Sequence, residues 1–113
     1  MARIDTAQLA ALRTLALAVE HRSLTAAGRR LDLTPSAVSK QLSRLEDALG
    51  ARLLERTTRR IRPTTIGLEL VERARPLLEA LDEAAGTIRE LVKAMDPMRA
   101  SAERSPRGSG GGL

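Results

Sequence analysis

The sequence predicts a mainly helical chain: a core of three short helices, a two-stranded hairpin, and one long closing helix. Three observations lead there. Phe, Tyr and Trp are absent from the 113 residues while hydrophobic residues make up 42%, so the core has to be built from aliphatic side chains on helices. Apolar residues recur at three- and four-residue spacings in four separate stretches. Between the third and fourth stretches the chain changes character, into the Arg- and Thr-rich block LLERTTRRIRPT.

The first helix begins at Asp5, whose carboxylate caps it while Gln8, three residues on, reaches back as in a capping box. Leu9, Leu12, Ala16 and Val19 form its expected inward stripe, and Leu15 falls off that stripe, free to meet the hairpin or another copy of the chain. Ser23 caps the second helix, with Leu24, Ala27 and Leu31 facing inward and Ala26 or Gly28 allowing a close helix crossing. Asp32-Leu33-Thr34-Pro35 then breaks the apolar pattern. Thr34 supplies a cap hydroxyl and Pro35 takes the first helical position, where its missing N–H costs nothing.

The third helix carries the most information. Val38, Leu42, Leu45 and Leu49 line one face, and Gly50 is a natural C-cap. Ser36, Ser39, Lys40 and Ser43 lie on the other, a slim surface of hydroxyls and one ammonium that fits a DNA major groove and can bond base edges or phosphates. Two short helices joined by a tight turn, with such a face on the second, are a helix-turn-helix. Leu53 to Arg56 and Arg60 to Pro63 read as extended segments around a Thr57-Thr58-Arg59 tip, which makes the hairpin a wing. Arg56, Arg59, Arg60 and Arg62 give it a dense positive edge suited to a narrow minor groove or to phosphates. Ser23 and Thr25 carry two compatible readings, helix cap and phosphate contact, and Arg29 and Arg30 are either solvated or backbone contacts.

Thr64 caps the long helix, which runs to about Met95 with Pro97 beyond it. Leu70, Ala74, Leu77, Leu81, Ala84, Ile88, Leu91 and Met95 repeat at alternating spacings of four and three, a heptad seam. Val71, Leu78, Ala85 and Val92 make a second stripe beside it. A helix of that length spans roughly 46 Å, far more than the small domain it leaves, so its apolar face calls for another molecule and homodimerisation is the economical answer. Pro76 is expected to bend it. From Asp96 onward the polar, Gly- and Pro-rich sequence reads as a disordered tail or linker.

The net charge of +5 is unevenly placed. Residues 1–63 carry twelve Lys and Arg against six Asp and Glu, whereas residues 64–95 carry four against six, so positive charge collects on the helix-turn-helix and wing. There is no cysteine, which excludes disulfides and thiolate chemistry and suits a reducing compartment. Neither a membrane span nor a signal peptide is read, and the expected location is the cytoplasm, at the nucleoid. Enzyme chemistry has little support: His21 is an isolated residue at a helix end, and there is no Gly-rich phosphate loop or metal-ligand cluster. No cofactor or metal is expected.

The stretch LALAVEHRSLTAAGRRLDLTPSAVSKQLSRLEDALGARLLERTTRRIRPTTIG resembles the N-terminal DNA-binding domain of LysR-type transcriptional regulators. The matching pieces are the Ala26-Ala27 pair, Pro35-Ser36-Ala37-Val38-Ser39, Leu45-Glu46 before Leu49-Gly50, the wing entry Leu53-Leu54-Glu55-Arg56-Thr57 and Thr64-Thr65-Ile66-Gly67. The resemblance covers residues 6 to about 95. It implies a winged helix-turn-helix domain over residues 1–64, a linker helix over 65–95 that pairs antiparallel into a dimer, and a tail over 96–113. By matching positions it implies that Pro35, Ser36, Ser39 and Lys40 face bases, that Thr34, Gln41 and Arg44 hold the DNA backbone, and that Arg56 reaches the minor groove. The hairpin residues Thr57, Thr58, Arg59 and Arg60 join these as expected DNA contacts. Leu15, Leu24 and Leu54 stand where the family usually carries phenylalanine. No effector-binding domain follows Met95, so no small-molecule site is expected in this chain. An alternative reading is a protein-interaction module that forms mixed dimers with full-length regulators through the long helix.

Overall fold

The computed structural model describes residues 3–56 and 60–95, so the Thr57-Thr58-Arg59 tip and the tail from Asp96 lie outside the described residues. The order is α1 (Thr6–His21), α2 (Leu24–Leu31), α3 (Pro35–Leu49), β1 (Leu54–Arg56), β2 (Ile61–Pro63) and α4 (Thr65–Met95). It is the winged helix-turn-helix arrangement with a long closing helix.

Each helix starts where a side-chain oxygen replaces the missing intrahelical partner of an amide. Asp5 Oδ1 accepts from the Gln8 amide at 2.8 Å, and Gln8 Oε1 accepts from the Asp5 amide at 3.0 Å, completing the capping box. Ser23, Thr34 and Thr64 accept in the same way from the amides of Ala26, Ala37 and Gly67, each at 3.0 Å. At the other ends, Arg22, Asp32 and Gly50 turn the chain in the left-handed region, at φ 54°, 60° and 72°. The turn between α2 and α3 is tight because Gly28 has no side chain: a Cβ there would collide with the Leu33 carbonyl, whose own residue donates its amide to Gly28 O at 2.8 Å.

β1 and β2 pair antiparallel in the register Leu54 with Pro63, Glu55 with Arg62 and Arg56 with Ile61. Leu54 and Ile61 turn into the core while Glu55 and Arg62 face out.

The core joins Ala11, Leu12, Leu15 and Ala18 of α1 to Ala27, to Val38, Leu42 and Leu45 of α3, to Leu53, Leu54 and Ile61, and to Val71, Ala74 and Leu78 of α4. Three expectations change here. The inward stripe of α1 centres on Leu15, which is fully buried, while Leu9, Ala16 and Val19 are half-buried at its edge. α1 is apolar nearly all round, so periodicity alone cannot choose its phase. Leu49 does not extend the stripe of α3; it is 48% exposed, and Glu46 turns inward instead. Ala74, placed by its spacing on the intermolecular seam, is buried in the domain's own core beside Val71 and Leu78.

The chain divides into two compact units, one ending at Leu78 and the next beginning at Glu79, so the first unit takes in the opening turns of α4 as well as the winged domain. α4 remains a helix through Pro76. In its second part Leu81, Ile88, Leu91 and Val92 are all exposed. Among the described residues, no helix is long and apolar enough to cross a membrane.

Candidate nucleic-acid interface

α3 presents two unlike faces. Val38, Leu42 and Leu45 are at most 2% exposed and fix the helix on α1 and α2. On the other side Pro35, Ser36, Lys40 and Arg44 are exposed, and Ser39 and Ser43 are half-buried. The buried face fixes the helix on the domain, which sets the backbone positions from which the hydroxyls and cations opposite project.

Thr34 and Ser23 sit at the starts of α3 and α2 with their hydroxyl oxygens engaged as caps, while Thr25, two residues after Ser23, is exposed. The structure therefore puts the cap reading of Ser23 and Thr34 in place. Gln41 is tied from below: the buried Thr14 hydroxyl of α1 donates to Gln41 Oε1 at 2.6 Å and lies 3.1 Å from the Ala10 carbonyl oxygen. Gln41 is thus half-buried, with one amide edge already used inside the domain.

The junction between α3 and the wing is organised by a carboxylate. Glu46 is 8% exposed, and its Oε2 accepts from the Leu53 amide at 2.8 Å and from the Leu54 amide at 3.2 Å. Arg52 Nε lies 3.7 Å from Oε2, and Arg56 Nη2 lies 3.8 Å from Oε1. A buried charge persists only with such partners, and here two amides and two guanidinium groups share one. Arg56 is correspondingly drawn inward, with its side chain 26% exposed and its Nε and Nη2 atoms buried without a hydrogen-bond partner. In this geometry Arg56 faces Glu46 across the junction. Ser43, Asp47 and Arg52 border the same junction, around a cleft of about 520 Å³. Arg60 and Arg62 remain on the exposed side of the wing.

From sequence, Glu46 stood out only as half of the Leu45-Glu46 match, with no structural role, and Thr14 and Arg52 did not stand out at all. One signal for Glu46 was available: it lies four residues after Leu42 and eight after Val38, on the inward side of α3. A carboxylate at such a position needs partners, and the amides that follow Gly50 provide them. Thr14 gave no signal, because a threonine within an apolar helix reads as neutral.

A family model described as bacterial regulatory helix-turn-helix protein, lysR family, matches residues 9–68. Among curated relatives, the HTH-type transcriptional regulator PgrR of Escherichia coli is 38% identical over 84 residues, covering 74% of this chain and 28% of that protein. A probable hydrogen peroxide-inducible genes activator of Mycobacterium xenopi is 39% identical over 93 residues, covering 82% of this chain and 48% of the relative. The chain thus spans less than half the length of either. Among solved structures, the BenM DNA-binding domain bound to catB site 1 DNA superposes with a TM-score of 0.69 at 31% identity, over 74% of this chain and 93% of that one. The CbnR DNA-binding domain in its DNA complex gives 0.65 at 30% identity, over 74% and 97%. Fold, family match and relatives agree: the chain belongs to the lysR family of bacterial regulatory helix-turn-helix proteins and carries the DNA-binding domain of a LysR-type transcriptional regulator.

Proposed function

We propose that the chain binds double-stranded DNA sequence-specifically as a homodimer, each copy laying α3 in a major groove. The carrying observation is the division of α3 into a buried aliphatic face and an exposed strip of Pro35, Ser36, Lys40 and Arg44. In this reading Ser36, Ser39 and Lys40 meet base edges, Arg44 and the outer amide edge of Gln41 meet the backbone, and Thr25 and Arg60 meet flanking phosphates. Neighbouring structures of BenM and CbnR domains in DNA complexes support the choice of duplex DNA as partner. The site of action is then the nucleoid.

Support for the dimer comes from α4. Leu77, Leu81, Ile88 and Leu91 are 67%, 49%, 57% and 50% exposed, and Leu70 and Ala84 share their seam. Apolar side chains spaced in heptads at that exposure are stabilised by a second helix. In this reading Ala74 adds little to the interface, since it is already covered. A dimer also reads two half-sites separated by whole turns of DNA, about 10.5 bp each.

Selection of duplexes from a random library by the wild-type chain and by Lys40→Ala tests the reading. Wild type is expected to enrich a two-fold symmetric site, and Lys40→Ala to lose about 1–3 kcal/mol of discrimination at one position per half-site. Equal binding of all sequences by both proteins would overturn it.

A further inference from the structure

Thr14 is a polar side chain in the middle of α1, only 1% exposed, and its hydroxyl reaches across to α3, where Gln41 Oε1 lies 2.6 Å away. The Ala10 carbonyl oxygen is 3.1 Å from the same hydroxyl, but the i to i−4 bonding of the helix already gives that carbonyl an amide. A hydroxyl has one proton to give. Gln41 is half-buried, so its Oε1 is the acceptor that needs that proton, and the shorter distance goes to it.

With its oxygen engaged, Gln41 has only the N–H groups of Nε2 left to offer. An amide in that state cannot present the paired donor and acceptor that read an adenine edge, but it suits a phosphate oxygen, which only accepts. Gln41 lines a cleft of about 490 Å³ between the start of α1 and α3, together with Lys40 and Arg44. Asp5 alone among the lining residues is acidic, and its Oδ1 is engaged in capping α1. A glutamine free to rotate loses much rotamer freedom when it binds a partner, whereas one held by Thr14 has lost it already on folding.

We propose that Thr14 is a positioning residue for DNA binding: buried away from the duplex, its hydroxyl holds Gln41 as a fixed donor whose Nε2 meets a phosphate oxygen of the half-site. This rests on the DNA-binding reading above and deepens it. The donor is neutral, so the contact adds affinity and register without releasing a counterion and without reading a base. Because Thr14 acts wholly through Gln41, its effect on binding separates from its place in the core.

A double-mutant cycle on the affinity of the 113-residue chain for its selected duplex tests the proposal. Thr14→Val keeps the shape of the side chain and removes the hydroxyl. It is expected to weaken binding about threefold to tenfold, the loss of one hydrogen bond, at an unchanged slope of log K against log salt. Thr14→Ser keeps the hydroxyl and should bind as wild type does. In a Gln41→Ala background, Thr14→Val should have no further effect. Against duplexes neutralised one phosphate at a time with methylphosphonate, one position should bring wild type and Thr14→Val to the same affinity. Wild-type affinity in Thr14→Val would overturn the proposal, as would an equal loss in Thr14→Ser or an equal loss with and without Gln41, either of which marks packing alone. A changed base preference in Thr14→Val would also overturn it, since Gln41 would then face a base. If Thr14→Val does not fold, Thr14→Ala takes its place in the cycle. A wild-type chain that binds no duplex would overturn the DNA-binding reading itself, a result separate from these.

Discussion

Glu46 Oε2 accepts the Leu53 amide at 2.8 Å, tying the last turn of α3 to the residue that enters the wing. The same oxygen takes the Leu54 amide, and the carboxylate also faces Arg52 and Arg56. One buried charge thus sets the position of the wing relative to the helix that carries Ser36, Ser39 and Lys40.

Glu46→Ala should cost about 3 kcal/mol of stability, because it strands two buried amides and removes the counter-charge of a partly buried arginine. Urea unfolding followed by circular dichroism measures this. Glu46→Gln keeps an acceptor for the amides but not the charge, and a smaller loss is expected. If Glu46→Ala unfolds at the wild-type midpoint, the carboxylate is not the tie between helix and wing.

Gly67 lies where the first turn of α4 crosses the Leu53 backbone, and an added Cβ there would collide with the Leu53 carbonyl oxygen and carbon. The obstacle is backbone on both sides, so no rotamer change relieves it. Gly67→Ala should therefore destabilise by about 1–3 kcal/mol, as overpacking does. The helix propensity of alanine, which at an exposed site would favour the change, serves as the contrast. Gly86→Ala, with open space around its Cβ, should stabilise slightly, and matched melting curves of the two variants make the comparison.

Leu15 and Leu81 are the same residue in opposite settings, 0% and 49% exposed. Leu15→Ala should remove about 2–5 kcal/mol by leaving a cavity between α1 and the rest of the core. Leu81→Asp should leave the winged domain folded while shifting the sedimentation equilibrium toward monomer. A Leu81→Asp chain that remains dimeric would place the interface elsewhere on α4 or on another surface.

Thr64 links local chemistry to tertiary placement. Its hydroxyl oxygen accepts from Gly67 as a helix cap and also donates to the Arg52 carbonyl at 2.7 Å, while its amide donates to Leu53 O at 3.0 Å. The cap was legible because Thr before a helical pattern is a local signal. The bonds to Arg52 and Leu53 were not, since their partners stand at least eleven residues away.

The sequence by itself determined the elements and their order. Asp5, Ser23, Thr34-Pro35, Gly50 and Thr64 mark boundaries through interactions that span three or four residues, and the stripes of α2 and α3 follow from periodicity. The basic, slim face of α3 was legible for the same reason. Tertiary structure decided which apolar residues share a core and which charges are spoken for. Leu15 displaced its neighbours because an all-round apolar helix has no preferred phase until α3 and the wing close on it. Ala74 went to the domain core because the packing of α4, not its heptad spacing, chose the buried side. Arg56 turned toward Glu46 because a buried carboxylate needs a counter-charge, and Thr14 met Gln41 only when α1 packed on α3. Such pairings depend on contacts between residues far apart in the chain, which local patterns do not encode.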